Sequence, residues 1–170
     1  MPRGAPARKA GPGRGESCTM PGMEARNPDF ERTVRESFSK QRIMATLGAS
    51  LERVGAGEAE IHLPSRADLT QQHGFMHAGI VATILDSACG YAAFSLMSAG
   101  SGVLSVEFKI NLLAPARGDL LIARARVLRA GRTITACHAE GHMRTEGETV
   151  LVAAMQATIM TIEGRAEVTG

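Results

Sequence analysis

An α+β domain, with one antiparallel sheet curved around a single buried helix, is the fold class this sequence predicts. Three observations point to it. The stretch from Ala78 to Met97 is apolar on every side, with Asp86 as its only charge, so as a helix it needs cover all round. Strand-like segments follow it to the end of the chain. The turns between them are short, which joins antiparallel neighbours, because parallel neighbours need long crossovers.

The elements follow in chain order. Residues 1–27 are rich in Gly, Pro, Ala and Arg and nearly free of large apolar side chains, too few to offset the entropy of ordering them. The expectation is a disordered tail before a domain over 28–170. Met20 and Met23 stand just ahead of the first patterned segment, and a translation start at one of them belongs to the same expectation. The tail's positive charge is not followed by the apolar core of a secretory signal, so export is not expected. Phe30, Val34, Phe38 and Ile43 recur at helical intervals and predict an amphipathic helix to about Leu47, ended by Gly48.

Leu51 to Leu63 is expected to be one strand, with Ala59, Ile61 and Leu63 alternating against Glu58, Glu60 and His62 before Pro64 stops it. A polar loop through Asp68 and Thr70 leads to the central helix, from about His77 to Leu96. Leu104, Val106, Phe108, Ile110 and Leu112 then alternate with Ser105, Glu107, Lys109 and Asn111, the period of a strand with one apolar face. Turns at Pro115 to Gly118, Ala130-Gly131 and Glu146-Gly147 separate further strands near Leu120 to Leu128, Arg132 to Met143 and Val150 to Ile162. One strand before the central helix and four after it complete the inventory.

Composition narrows the function. A chain of 170 residues fits one domain. Its net charge is only +2, with Arg3, Arg8, Lys9, Arg14 and Arg26 in the first stretch, so the folded part is close to neutral, unlike a general nucleic-acid binder. Cys18, Cys89 and Cys137 are odd in number and lack a CxxC pair, which speaks against a disulfide framework and a thiolate metal site. A cytoplasmic, reducing setting is expected. Reading Ala78 to Met97 as a membrane span would place Asp86 near the bilayer centre at about 2.5–3.5 kcal/mol, so a helix buried in a soluble protein is the better account.

Asp86 lies between Ile84-Leu85 and Ala88-Cys89, and a carboxylate buried there needs a partner, an altered pKa or a use. A core Asp hydrogen-bonded for packing remains the alternative. The pairs His73/His77 and His138/His142 are each spaced by four. On a strand that spacing spans about 13 Å, too far to chelate one ion, and no HExxH glutamate accompanies the first pair. Cys89 reads as a small buried thiol rather than a nucleophile. The sequence has no GxSxG elbow, no Walker A loop and no GxGxxG motif.

The segment Gln71-Gln72-His73-Gly74-Phe75-Met76-His77-Ala78-Gly79-Ile80-Val81-Ala82-Thr83-Ile84-Leu85-Asp86 resembles the hot-dog thioesterases of the phenylacetic-acid-degradation (PaaI) type. Their signature is an amide residue, then His-Gly-Gly opening the central helix, then an Asp on that helix. Val106-Glu107-Phe108, Pro115-Ala116-Arg117-Gly118 and Gly131-Arg132-Thr133 extend the likeness to about Phe30 through Ile162. Gln71 stands where the family commonly has Asn, and Ala78 replaces the first glycine. The resemblance implies a hot-dog fold with an added N-terminal helix. It also implies a homodimer or dimer of dimers, and an acyl-CoA substrate with an aromatic or medium-chain acyl group, hydrolysed without a metal or redox cofactor.

Residue by residue, the resemblance makes Asp86 a general base or nucleophile, Gln71 the holder of the attacking water, and Ser105 an aid to orienting the nucleophile. His77 would position the substrate, with the N–H groups of Ala78 and Gly79 polarising the thioester oxygen. Arg117, Arg129, Arg132 and Gly131, with Arg124, would grip the CoA phosphates. Each position also has a plain reading: His77 bonding a loop group at a helix start, Gln71 and Ser105 as solvated residues, the arginines as ordinary surface charge. Tyr91 and Phe94 are candidate ends of the acyl tunnel, or core packing. A non-catalytic acyl-CoA-binding module of the same fold, acting as sensor or scaffold, is the functional alternative; Asp86 favours the enzyme. His77 and Asp86 are nine residues apart, about 13 Å along a helix and on opposite sides of it, so one site using both must draw on two chains.

Overall fold

The structure, a computed structural model, describes residues 23–163. Helices α1 (Phe30–Lys40) and α2 (Arg42–Leu47) precede strands β1 (Ser50–Gly55) and β2 (Glu58–Pro64). A short 3-10 turn at Ala67–Leu69 leads to the central helix α3 (Ala78–Phe94), followed by β3 (Gly102–Leu112), β4 (Leu120–Ala130), β5 (Ile134–Thr145) and β6 (Glu148–Ile162). The strands form one six-stranded sheet in the order β1-β2-β4-β5-β6-β3, and every neighbouring pair is antiparallel. Among the described residues no helix is long and apolar enough to cross a membrane.

The sheet wraps one helix because small residues line its inner face. Ala123, Ala139, Ala153 and Ala157 are buried there among larger Ile61, Leu121, Met155 and Ile159. At Gly141 an added Cβ would lie 3.1 Å from Leu85 Cδ1, so α3 comes close enough that even a methyl group there would crowd Leu85. Val81, Ile84, Leu85, Ala88, Cys89, Ala92 and Ala93 of α3 are buried against this face. Burial of one such Leu or Ile side chain stabilises by about 1.5–3 kcal/mol. The outer face carries the polar half of the alternation: Glu60 pairs across to Arg124, and Arg124 to Glu140.

Four expectations need correction. The segment from Leu51 to Leu63 is a hairpin, not one strand, because Gly57 takes a left-handed backbone (φ 78°) and turns the chain. The first helix breaks at Gln41 into α1 and α2. Of the tail expected over 1–27, residues 1–22 lie outside the described residues. Within the remainder Asn27 is buried, with its Oδ1 accepting from the Asp29 N–H at 3.0 Å and its Nδ2 donating to Thr33 Oγ1 at 3.0 Å, so the boundary at 27/28 cuts through packed structure.

The fourth correction concerns β3. Its pairing with β6 skips Val106, so that Ser105 opposes Ile159 while Glu107 already opposes Thr158. This extra residue is a β-bulge, and it exchanges the two faces of the strand. Ser105 therefore shares the helix-facing side with Phe108, whose partner Ala157 is buried. The uniform alternation of β3 hid this switch. β3 is also an edge strand, with Leu104, Val106, Phe108 and Leu112 between 44% and 56% exposed.

The Gly57 turn is docked on both sides of the core: its N–H donates to Ser95 Oγ at 2.7 Å and its carbonyl accepts from the Val127 N–H at 2.8 Å. Replacing Gly57 with Ala forces a side chain into left-handed backbone and sets its Cβ 3.2 Å from Met23 Sδ. The expected loss is about 1–2 kcal/mol, read as a lower urea midpoint at unchanged slope. An unshifted midpoint would contradict this account of the turn.

Candidate active site

Two groups of polar residues lie apart on α3, one at its middle and one at its start. The first is built on Asp86, half-buried midway along the helix. Ser105 Oγ donates to Asp86 Oδ1 at 2.7 Å, a bond made possible by the bulge that turns Ser105 inward. The second carboxylate oxygen has no protein partner among the described residues. Asp86 borders a cleft of about 350 Å³ whose walls come from α1, the break between α1 and α2, α3 and the start of β3, including Gln41, Tyr91, Phe94 and Val103. The carboxylate is held at one oxygen and open at the other, an arrangement suited to binding a water and taking its proton.

The second group is built on the start of α3. The His77 N–H donates to the Leu69 carbonyl and the Met76 N–H to the Ala116 carbonyl, both at 2.9 Å, which ties the helix start to the 3-10 turn and to the β3–β4 connection. His77 is the N-cap, and its Nδ1 accepts from the Gly79 N–H at 2.9 Å. In the neutral ring the proton then sits on Nε2, facing away from the helix. At Gly79 an added Cβ would lie 3.1 Å from His77 Nδ1 and press the ring outward by a few tenths of an ångström.

That geometry alters the expected oxyanion contacts. Of the two N–H groups expected at the thioester oxygen, that of Gly79 is engaged by the His77 ring. The Ala78 N–H has no partner among the described residues and remains free to donate. Gln71 also has a more defined place than a solvated loop residue: its Oε1 accepts from the His73 N–H, and its amide nitrogen has no partner among the described residues. With Phe75, Met76, Ala78 and the segment from Leu112 to Ala116 it lines an apolar cleft of about 450 Å³. The Arg117 guanidinium stacks over the Phe75 ring, 5.6 Å from its centroid, a cation–π contact.

Within one chain these groups do not meet. Ser105 marks the Asp86 end of β3 and Leu112 the His77 end, about 23 Å apart along an extended strand. The arginines divide in the same way. Arg117 belongs to the His77 end, whereas Arg132 lies in the β4–β5 turn, where the Thr133 carbonyl accepts from Thr161 of β6 at the Asp86 end. Arg129 pairs with Ala136, next to the inward-facing Cys137, and so stands on the outer face. Arg124 is also on the outer face, committed to Glu60 at 2.8 Å. The Gly131 N–H donates to the Ile134 carbonyl at 2.9 Å, which removes it from the expected phosphate contacts.

The competing centres separate as well. His138 and His142 both approach Glu140, at 3.5 and 3.6 Å, on the outer face. Among the described residues no three His, Cys, Asp or Glu side chains gather as a metal site. The neighbouring Cys137 thiol, with burial, pushes the Cys89 thiol far above its ordinary value, so it supplies no thiolate. Ser37, Lys40 and Gln41 border the Asp86 cleft without having been singled out beforehand, since an amphipathic pattern does not reveal what its helix leans on.

Comparison with known proteins gives a consistent result. The family model for the thioesterase superfamily matches residues 73–150. A thioesterase family protein from Silicibacter pomeroyi superimposes with a TM-score of 0.79 at 50% identity, covering 79% of this chain and 99% of that one. A candidate esterase of Halobacterium salinarum is 32% identical over 120 residues, 68% of this chain and 78% of that protein. The PaaI protein of the E. coli phenylacetic acid degradation operon shares the fold, with a TM-score of 0.72 at 21% identity over 82% of this chain and 98% of that one.

The cap geometry is directly testable. Replacing Gly79 with Ala should displace the His77 ring, remove its bond to the backbone and cost about 1 kcal/mol, the usual worth of an N-cap. Imidazole nitrogen NMR of His77 should report an accepting Nδ1 in the wild type and lose that signature in the variant. An unchanged spectrum would show that the ring does not depend on the glycine.

Proposed function

Because the chain belongs to the thioesterase superfamily and is a hydrolase, we propose that it cleaves an acyl-CoA thioester to a free acid and CoA at a site assembled from two copies of the chain. The observation that carries this reading is the Asp86 carboxylate, held by Ser105 at one oxygen and open to a cleft at the other. Asp86 removes a proton from a water as its oxygen bonds to the thioester carbonyl carbon. The negative charge that develops on the carbonyl oxygen is met by the Ala78 N–H at the start of a helix, with His77 Nε2 as a second donor. Collapse breaks the carbon–sulfur bond, and the CoA sulfur leaves with the proton that Asp86 took up. Water is the only co-reactant.

The second copy enters because of β3. An edge strand with several large apolar side chains exposed is a template for pairing. Antiparallel pairing of two β3 strands about a two-fold axis near Phe108 sets the Ser105 end of one copy against the Leu112 end of the other. The Asp86 group then faces the second copy's His77, Ala78 and Gln71, whose free amide can hold the attacking water. Arg132 of one copy and Arg117 of the other border the same entrance and suit the CoA phosphates. The free, buried thiols of Cys89 and Cys137 support a cytoplasmic setting.

Asp86→Asn should lower turnover of acyl-CoA by at least about a hundredfold, the lower range for loss of a general base, with the fold intact by circular dichroism. A folded variant with normal turnover would return Asp86 to a structural role. Arg132→Ala should raise KM for CoA esters more than for a short thioester lacking the nucleotide, because only the former carries phosphates. Equal effects on both would remove Arg132 from the entrance.

A further inference from the structure

Between α1 and α2 the chain leaves helical geometry at one residue, Gln41 (φ −77°, ψ 96°), with neither proline nor glycine there to force the break. Gln41 is the N-cap of α2, where a side chain would ordinarily bond the helix's own N–H groups. It makes no such bond. Its Oε1 instead accepts from the Tyr91 hydroxyl of α3 at 3.3 Å, and both residues line the cleft that opens at Asp86. The break thus presents Gln41 to the cleft rather than to its own helix.

The pair has unused hydrogen-bonding capacity. The two N–H donors of Gln41 Nε2 have no partner among the described residues, and the Tyr91 oxygen, which already has the Ser37 hydroxyl beside it, can accept a second hydrogen bond. Tyr91 is 6% exposed, with its ring packed at a tilt against Phe38, centroids 5.5 Å apart. Burial pushes its phenol above the ordinary value, and the hydrogen bond from Ser37 works in the opposite direction. Tyr91 lies five residues beyond Asp86, about 7.5 Å further along the helix. Phe94 and Val103 supply apolar wall to the same cleft.

Resting on the acyl-CoA reading above, we propose that Gln41 and Tyr91 are specificity residues that select an acyl group carrying a hydroxyl at its far end. That hydroxyl accepts from the Gln41 amide and donates to the Tyr91 oxygen, while its carbon chain lies against Phe94 and Val103. An acyl group ending in a methyl leaves these polar groups unmatched once it expels water from the cleft. Gln41 is only half-buried, so the discrimination is expected at about tenfold rather than at the far larger ratios of a sealed site.

The test uses calorimetry on the full-length Asp86→Asn protein with hexanoyl-CoA, 6-hydroxyhexanoyl-CoA and adipyl-CoA, so that binding is read without turnover. The hydroxylated ester should bind about tenfold more tightly than hexanoyl-CoA. Adding Gln41→Met or, independently, Tyr91→Phe should bring that ratio close to one. Equal binding of the two esters, or a ratio that survives both substitutions, overturns the proposal. Tightest binding of adipyl-CoA also overturns it, in favour of a charged acyl end drawn to Lys40. Wild-type turnover of the same three esters separates the two claims: a binding preference without hydrolysis sinks the thioesterase reading alone, and hydrolysis without a preference sinks this one.

Discussion

His77 and Asp86 sit on one rigid helix, about 13 Å apart along its axis and on opposite sides, and the structure offers no way to bring them together within a chain. A helix buried along its length cannot bend to close that gap without opening the core around Leu85 and Gly141, where sheet and helix are already in contact. Everything else in the site respects this separation. Gln71, Phe75 and Arg117 gather at the helix start; Ser105 and Tyr91 gather around Asp86. On the proposed reading these are two complementary halves of a site, one at the start of α3 and one at its middle, and a two-fold axis is the simplest operation that joins them.

The sheet serves that arrangement in two ways. Its small inner residues let one helix lie close, which fixes where Asp86 emerges. Its bulged edge strand does the rest: the extra residue at Val106 turns Ser105 toward the carboxylate and leaves apolar side chains exposed along an unpaired edge. One local irregularity therefore bears on both the hydrogen bond that holds the Asp86 carboxylate and the surface through which a second copy would supply the proposed oxyanion donors.

Much of this was legible in the sequence. The unbroken apolar run of α3 demanded a wrapped helix, and the period-two segments after it gave the antiparallel strands β3 to β6. The elements that escaped were those whose cause is not local. Gly57 turns a hairpin inside what read as a single strand, because a lone glycine in an alternating pattern does not announce a left-handed backbone until Ser95 and Val127 are seen to hold it. The bulge at Val106 left the alternation intact on paper while reversing its meaning for Ser105. The Gly79 N–H was expected at the thioester oxygen, whereas it is bonded to the His77 ring, a contact set by side-chain rotation rather than spacing. Gln41 carried no signal at all, since only the packed cleft gives it a partner.

Complementation between inactive subunits tests the shared site most directly. Asp86→Asn and His77→Ala chains, carrying different affinity tags, are co-expressed and the mixed dimer is isolated through both tags. Each parent dimer should be folded and nearly inactive, while the mixed dimer, with one intact site and one doubly impaired site, should recover about half the wild-type turnover per dimer. A folded mixed dimer with no recovered activity, or an isolated monomer that retains full turnover, would contradict a site built across two copies.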